Sequence, residues 1–436
     1  MTDQYNVAVV GAGPAGLFGA RELANQGVRV ALFNRDIKPG GLAEYGIYPE
    51  KHTMKDGLRR QFRQTIELPN IDYYGYVSIG AEGDLTLDDL RSFGFDAILV
   101  TAGAQGTKSL GLPGEELEGV YHAKDVVYFY NHLPPFSMKP FRFGRRCAII
   151  GAGNVMVDIA RHLINVQKAE QVTAVVRRGP TEVNFTKEEM KHLISYVDMD
   201  EFEREMARVL PVQQAIGQDP LIGRHKILDA LAKADPKTDN AVFKFDFLAS
   251  PVGMVGENGR LTQMEVEENI LTLRDGKTSA KGTGSKRMID VDTVIFAIGD
   301  KVDEAFGLPI EWNEFVKSKE PRFPIDGLSF ESTAEGVFVG GWSRKASDGL
   351  VGYARKDGIN ASKAVSEYLK TKPAGNPNLD ALASRLKSLG KPVITKDLVK
   401  KLEEVENEEA KKRGLEEFKF DTNEDMLKAM GLNVMA

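Results

Sequence analysis

The sequence predicts an α/β fold made of two doubly wound, parallel-sheet domains, the second inserted into the first. Three observations lead there. Two glycine motifs, Gly11-x-Gly13-x-x-Gly16 and Gly151-x-Gly153, lie about 140 residues apart, each after an apolar run and before a helical pattern. Each β-α-β unit that results has a later apolar strand returning to it, Phe95–Thr101 for the first and Val291–Ile298 for the second. A short strand at Gly336–Gly341 then brings the chain back to the first unit. Glycines at these spacings between strand and helix are the mark of a Rossmann-like dinucleotide-binding domain.

The elements follow in order. Tyr5–Val10 reads as a strand, Ala15–Gln26 as a helix and Val28–Phe33 as the next strand. The second unit repeats this with Cys147–Ile150, Val155–Asn165 and Val172–Val176. Phe243–Asn269 reads as strands turning at Gly256-Glu257-Asn258-Gly259, and Asp275–Lys286, rich in Gly, Ser, Thr and Lys, as a mobile loop. A helix runs through Ile359–Leu369, and Lys372–Asn378, with two prolines, is a linker. The remainder, to Ala436, is helical and rich in Lys and Glu. It is expected to be a solvated appendage docked along one face by Leu398, Leu402 and Val405. The expected domains are 1–106 with 322–436, the latter including the extension from about 373, and the inserted 107–321.

Composition narrows the function classes. With 436 residues, 42% hydrophobic and 28% charged, the chain has the balance of an ordinary globular protein. No apolar run approaches the ~18 residues of a membrane span. The first strand begins almost at Met1, leaving no room for a leader, so cytoplasmic residence is expected. A net charge of −6 argues against general nucleic-acid binding. A single cysteine, Cys147, cannot form a C-x-x-C redox pair, ligate an iron–sulfur cluster or build a zinc knuckle. No metal site is expected. Any electron carrier here is therefore an organic cofactor, and Cys147 reads as a buried strand residue.

The two motifs carry different chemistry. In the first, the glycines provide a tight turn, close approach of backbone to pyrophosphate and close helix–strand packing, with Pro14 and Ala15 opening the helix whose N-terminus faces the phosphates. The acid expected to bind ribose is replaced by Asn34, followed by Arg35; the asparagine oxygen can still accept from a hydroxyl. In the second, Asn154, Val155 and Asp158 follow the glycines, and the next strand ends in Arg177-Arg178. Guanidinium groups match a 2′-phosphate bidentately, where an acid would repel it, so this site is read as selecting NADPH over NADH.

Taken together, Gly11–Leu17, Pro39-Gly40-Gly41-Leu42, Leu112-Pro113-Gly114-Glu115-Glu116, Gly151–Arg161, Arg177-Arg178-Gly179-Pro180, Phe185-Thr186 and Gly341-Trp342 resemble the adrenodoxin reductase family of NADPH–ferredoxin reductases, over nearly the whole chain. The tail, Val393–Met430, is similar to the extension of bacterial members. The resemblance implies FAD at the first site and NADPH at the second, with electrons leaving singly to a ferredoxin or similar iron–sulfur protein. It implies flavin-side contacts from Gly41, Leu42, Gly103, Trp342, Gly349, Leu350 and Val351, and a catalytic glutamate near the nicotinamide at Glu189. A family histidine near the flavin aligns with Lys51, with His52 one place away, so proton handling there stays open between the two. Met156 stands where the family has a small residue. Arg59, Arg60, Arg63, Arg224, His225 and Lys226 are candidate contacts for an acidic partner. Three alternatives share the two nucleotide sites: an electron-input subunit like the small subunit of glutamate synthase, a flavin monooxygenase and a nucleotide sensor. The oligomeric state is left open.

Overall fold

The computed structural model describes residues 4–347 and 349–432; the last four residues of the expected extension, 433–436, lie outside it. Contacts divide the chain into two units. One holds the residues up to Thr107, Tyr128–Met138 and those from Gly299 on; the other holds Lys108–Val127 and Lys139–Ile298.

The first unit is built on five parallel strands, in the order Val337–Val339, Ala97–Val100, Asn6–Val10, Arg29–Asn34 and Ile71–Gly75. Both faces of this sheet are covered. Val7, Val9, Val30 and Leu32 point into one core, whereas Ala8, Val10, Ala31 and Phe33 point into the other. That is why these strands read as unbroken apolar runs rather than alternating ones. Helix Pro14–Asn25 and the long helix Val351–Leu369 cover the first face.

The tail departs from its expected role. Its helices are Leu379–Lys387, Lys396–Arg413 and Asn423–Ala429. Val399, Leu402, Met426, Leu427 and Met430 are buried in one core, and Leu382 and Leu386 in the other. The tail therefore completes the core on both sides of the sheet and is no solvated appendage. The linker before it is also tied down. Gly375 N donates to Asp96 Oδ1 at 2.7 Å, and Tyr5 Oη donates to the Lys372 carbonyl at 2.8 Å. The expected junction at 321/322 falls instead at 298/299. Asp300–Lys301 pairs with Gly106–Thr107, and Val302, Phe306 and Phe315 pack into the core of the first unit.

The second unit repeats the same architecture. Its parallel strands run in the order Val120–His122, Thr293–Phe296, Arg146–Ile150, Gln171–Val176 and Val242–Phe247. Beside them lies an antiparallel sheet of Ala249–Glu257, Arg260–Arg274 and Lys277–Asp290. Asp275–Lys286, expected as a mobile loop, is instead part of this sheet. Asp275 and Gly276 have φ of 50° and 70° and form the two-residue turn of a long hairpin, with Arg274 opposite Lys277. Asp-Gly is a strong hairpin signal, and it was masked by the Gly, Ser and Lys content of the exposed strand after it.

Candidate dinucleotide-binding sites

In the first unit the candidate residues gather at the carboxyl ends of the parallel strands, where open α/β sheets bind ligands. Gly11 follows strand Asn6–Val10 with φ of 104°, and a Cβ there would lie 2.4 Å from the Thr101 carbonyl oxygen. A Cβ on Gly16 would lie 1.9 Å from the Gly11 oxygen, so helix and strand approach as only glycine permits. Gly13 is different: nothing of the protein lies within 4 Å of where its Cβ would be. It is the N-cap of helix Pro14–Asn25 and carries no side-chain cap, so the first-turn amides are left for an anion. Ala15 packs deeper: a Cβ on Gly358 would fall 2.1 Å from its carbonyl oxygen.

Gly40 and Gly41 meet this cradle directly. Gly40 N donates to the Ala12 carbonyl at 2.7 Å, and a Cβ on Gly41 would lie 3.0 Å from Gly13 Cα. Gly41 thus lies beside the fingerprint, with Leu42 opening the short helix Leu42–Tyr45. Gly103 N donates to the Ser343 hydroxyl oxygen at 3.0 Å, joining it to the turn Gly341–Ser343 that carries Trp342. That turn is fixed in its own right: Gly341 N and the Arg344 guanidinium both donate to the Asp357 carboxylate. Leu350 caps helix Val351–Leu369 without a side-chain bond and is exposed, as is Tyr353. Lys51 and His52 sit side by side at the start of helix His52–Ile66, both half-buried, and Lys51 is its N-cap.

Asn34, at the position expected to face the ribose, is engaged within the chain. It is buried, its Oδ1 accepts from Ala12 N at 3.1 Å, and its Nδ2 donates to the carbonyls of Asp36 and Lys38 at 2.8 and 2.9 Å. Its amide has both donors and acceptors, so it braces the glycine loop against the end of its strand. Arg35 beside it is largely exposed; it pairs with Asp36 and donates to Gln105 Oε1 at 3.3 Å.

The second unit repeats the cradle. Gly151 has φ of 139°, and a Cβ there would lie 2.5 Å from the Ala297 oxygen. Gly153, N-cap of helix Asn154–Asn165, again has nothing within 4 Å of its Cβ position. At the place of the third glycine, Met156 is fully buried in the unit's interior, leaving the open side at Gly153 clear. Val155 is exposed and Asp158 half-buried on the first turns of the helix.

Asn154 has a structural task that sequence alone did not show. Its Oδ1 accepts from Thr186 N at 2.8 Å, while Asn184 N donates to the Ala152 carbonyl at 2.8 Å. The Thr186 hydroxyl in turn caps helix Lys187–Met190, which carries Glu189. Glu189 is half-buried, whereas Glu188 is exposed and turned toward Lys191 and Lys233. Arg177 and Arg178 stand at the end of strand Gln171–Val176. Their carbonyls are tied down by Asn269 Nδ2 at 2.9 Å and Leu248 N at 3.2 Å. Neither guanidinium has an ion pair or side-chain hydrogen bond among the described residues. By contrast, Arg208 and Arg287 of the same unit are spent on Glu268 and Asp246.

The candidate docking residues separate sharply. Arg59 is enclosed by Glu44 and Glu417, Arg63 pairs with Glu403 at 2.5 Å, and Arg224 pairs with Glu203 at 2.6 Å. Lys226 Nζ donates to the Val183 carbonyl. Arg60 and His225 remain as exposed groups. Three of the six expected basic contacts, Arg59, Arg63 and Arg224, are thus paired with carboxylates within the chain. Sequence reasoning also missed a buried cluster of charges made by Lys38, Glu44, Lys55, Glu406 and Lys419. Its members are scattered over nearly the whole chain, and no local pattern joins them.

The description pyridine nucleotide-disulphide oxidoreductase fits a family model that matches residues 5–197. NADPH-ferredoxin reductase FprA of Mycobacterium leprae is 27% identical, over 90% of this chain and 91% of its own. The mitochondrial NADPH:adrenodoxin oxidoreductase of Arabidopsis thaliana is 26% identical, over 88% and 87%. The fold matches that of Mycobacterium tuberculosis FprA in complex with NADPH, with a TM-score of 0.83, 23% identity and coverage of 98% of this chain and 99% of that one.

Proposed function

We propose that the chain is an FAD-dependent reductase of the adrenodoxin reductase type, which takes electrons from NADPH and passes them singly to a ferredoxin or similar iron–sulfur protein, as its similarity to NADPH-ferredoxin and NADPH:adrenodoxin reductases over most of its length supports. The observation that carries this reading is the pair of unengaged guanidinium groups, Arg177 and Arg178, beside the second of two open glycine cradles. Both cradles fit their cofactors by the same test: a Cβ is excluded at Gly11 and Gly151, while Gly13 and Gly153 face open space where a pyrophosphate would lie. Bound FAD would supply the conversion of a two-electron donor into one-electron transfers.

The chain's own residues supply binding and orientation. The uncapped amides after Gly13 and Gly153 receive phosphate charge, aided by the positive ends of their helices. Arg177 and Arg178 receive the 2′-phosphate. Asn154 holds the Thr186 segment against the second fingerprint and so fixes where Glu189 stands. We assign Glu189 to the nicotinamide side and leave proton handling near the flavin to Lys51 or His52. Trp342, on a turn anchored to Gly103 and Asp357, is assigned to the flavin side.

The test is NADPH-driven reduction of a purified ferredoxin under anaerobic conditions, followed by bleaching of the iron–sulfur absorbance. Catalytic reduction of the ferredoxin is expected. NADPH oxidation that needs oxygen and a small organic substrate, with no ferredoxin reduction, would overturn the reading.

A further inference from the structure

The first unit buries an unusual amount of charge directly behind the first fingerprint. Lys38, Glu44, Lys55, Glu406 and Lys419 are each no more than 5% exposed. Lys38 Nζ lies 3.1 Å from Glu44 Oε1 and 2.5 Å from Glu406 Oε2. Lys419 Nζ lies 3.2 Å from Glu44 Oε1, donates to the Glu44 carbonyl at 2.8 Å and sits 4.9 Å over the Tyr45 ring. Arg59 grips both oxygens of Glu44 at 2.7 Å, and Lys55 pairs with Glu417 at 2.6 Å. Three of these groups, Glu406, Glu417 and Lys419, come from the C-terminal tail.

Stability alone does not account for such a cluster, because buried ion pairs often do no better than apolar residues of the same size. Its position gives it another use. The Lys38 carbonyl accepts from Asn34 Nδ2 at 2.9 Å, and Asn34 Oδ1 accepts from Ala12 N at 3.1 Å. Glu44 is on the short helix Leu42–Tyr45, which follows directly on Gly40 and Gly41. Those two glycines touch the fingerprint at Ala12 and Gly13. Two short routes therefore run from the tail to the pyrophosphate loop. One passes from Glu406 through Lys38 and Asn34 to Ala12, and the other from Lys419 through Glu44 and the Gly40-Gly41 turn to Gly13.

We propose that Glu406 and Lys419 are positioning residues of the first dinucleotide site, so that docking of the tail and binding of FAD are coupled. The tail holds Gly40–Tyr45 against the fingerprint, and bound FAD in turn holds the tail. The proposal rests on the reading that the first site takes FAD. Linkage requires the two effects to be equal in free energy, and couplings of this kind usually amount to about 5- to 150-fold in affinity.

The test uses the full-length protein with its flavin removed and then restored. Lys419→Met and Glu406→Gln should each weaken FAD binding by about tenfold or more, while retention on immobilised 2′,5′-ADP, a probe of the second site, stays at the wild-type level. In the unaltered protein, FAD should slow hydrogen exchange of residues 415–420 by a comparable factor. That measurement decides the matter even if a variant fails to fold. The coupling is refuted if both variants hold FAD as tightly as wild type, or if exchange in 415–420 is the same with and without FAD. A wild-type protein that binds no FAD would overturn the assignment of the first site as well, which separates the two failures.

Discussion

Replacing Arg177 and Arg178 by alanine tests the cofactor choice most sharply, because the structure allows its size to be worked out. Hydrogen bonds to charged groups contribute about 1.5–3 kcal/mol each. Arg177 is exposed and Arg178 half-buried, so solvent screening reduces both, Arg177 more. A combined loss of about 2–4 kcal/mol is reasonable, or roughly 30- to 700-fold at ~1.4 kcal/mol per decade. The strand end should keep its place, since Asn269 and Leu248 bind only the backbone carbonyls of the two arginines. The assay is steady-state reduction of ferricyanide with NADPH and with NADH. The kcat/KM for NADPH should fall by that factor, that for NADH by less than about threefold, and Arg178→Ala alone should account for more of the loss than Arg177→Ala. An equal fall with both donors would refute the assignment of the 2′-phosphate to these residues.

The other predictions follow from packing and charge. Gly16→Ala should destabilise the fold severely, since its Cβ would meet the Gly11 oxygen at 1.9 Å, while Gly13→Ala should change stability by less than about 0.5 kcal/mol yet weaken FAD binding; thermal melts with and without FAD distinguish the two. Burial pushes the Cys147 thiol up to about 12, so in native protein it should resist thiol reagents at neutral pH and react fully only on unfolding. Burial raises the Glu417 carboxyl, but Lys419, Arg59 and Lys55 outweigh it and hold the group at about 2, below its usual 4.5. A depressed carboxylate contributes stability above its unfolded value that is lost as pH falls toward the folded one, here up to about 3 kcal/mol between 4.5 and 2. Denaturation curves across that window should show a smaller loss for Glu417→Gln than for wild type; identical losses would count against the ion pairs.

Much of the fold was legible because its signals are local. A parallel sheet buried on both faces leaves continuous apolar runs, and glycines that must lie against a carbonyl leave a fixed spacing, so both β-α-β units could be found without coordinates. The hairpin ending at Asp275-Gly276 was also legible in principle, but composition outweighed turn chemistry and gave a loop. Other features depend on partners distant in sequence. Asn34 occupies the ribose-binding position of the motif, yet Ala12, Asp36 and Lys38 take up its amide. Arg59 looked like a docking group until the structure placed Glu44 and Glu417 around it. The tail's periodicity showed one apolar face but not that its helices serve two different cores. For the second site the decisive residues, Arg177 and Arg178, could be read from sequence; that nothing else in the described structure competes for them could not.

Electron transfer from NADPH through the flavin to a ferredoxin is measured by adding NADPH in substoichiometric steps, without oxygen, to the purified flavin-loaded protein in the presence of excess oxidised ferredoxin. The flavin should stay largely oxidised at each step while two ferredoxins are reduced per NADPH. Failure of NADPH to reduce either flavin or ferredoxin, or flavin reduction that never reaches the ferredoxin, would contradict the proposed transfer.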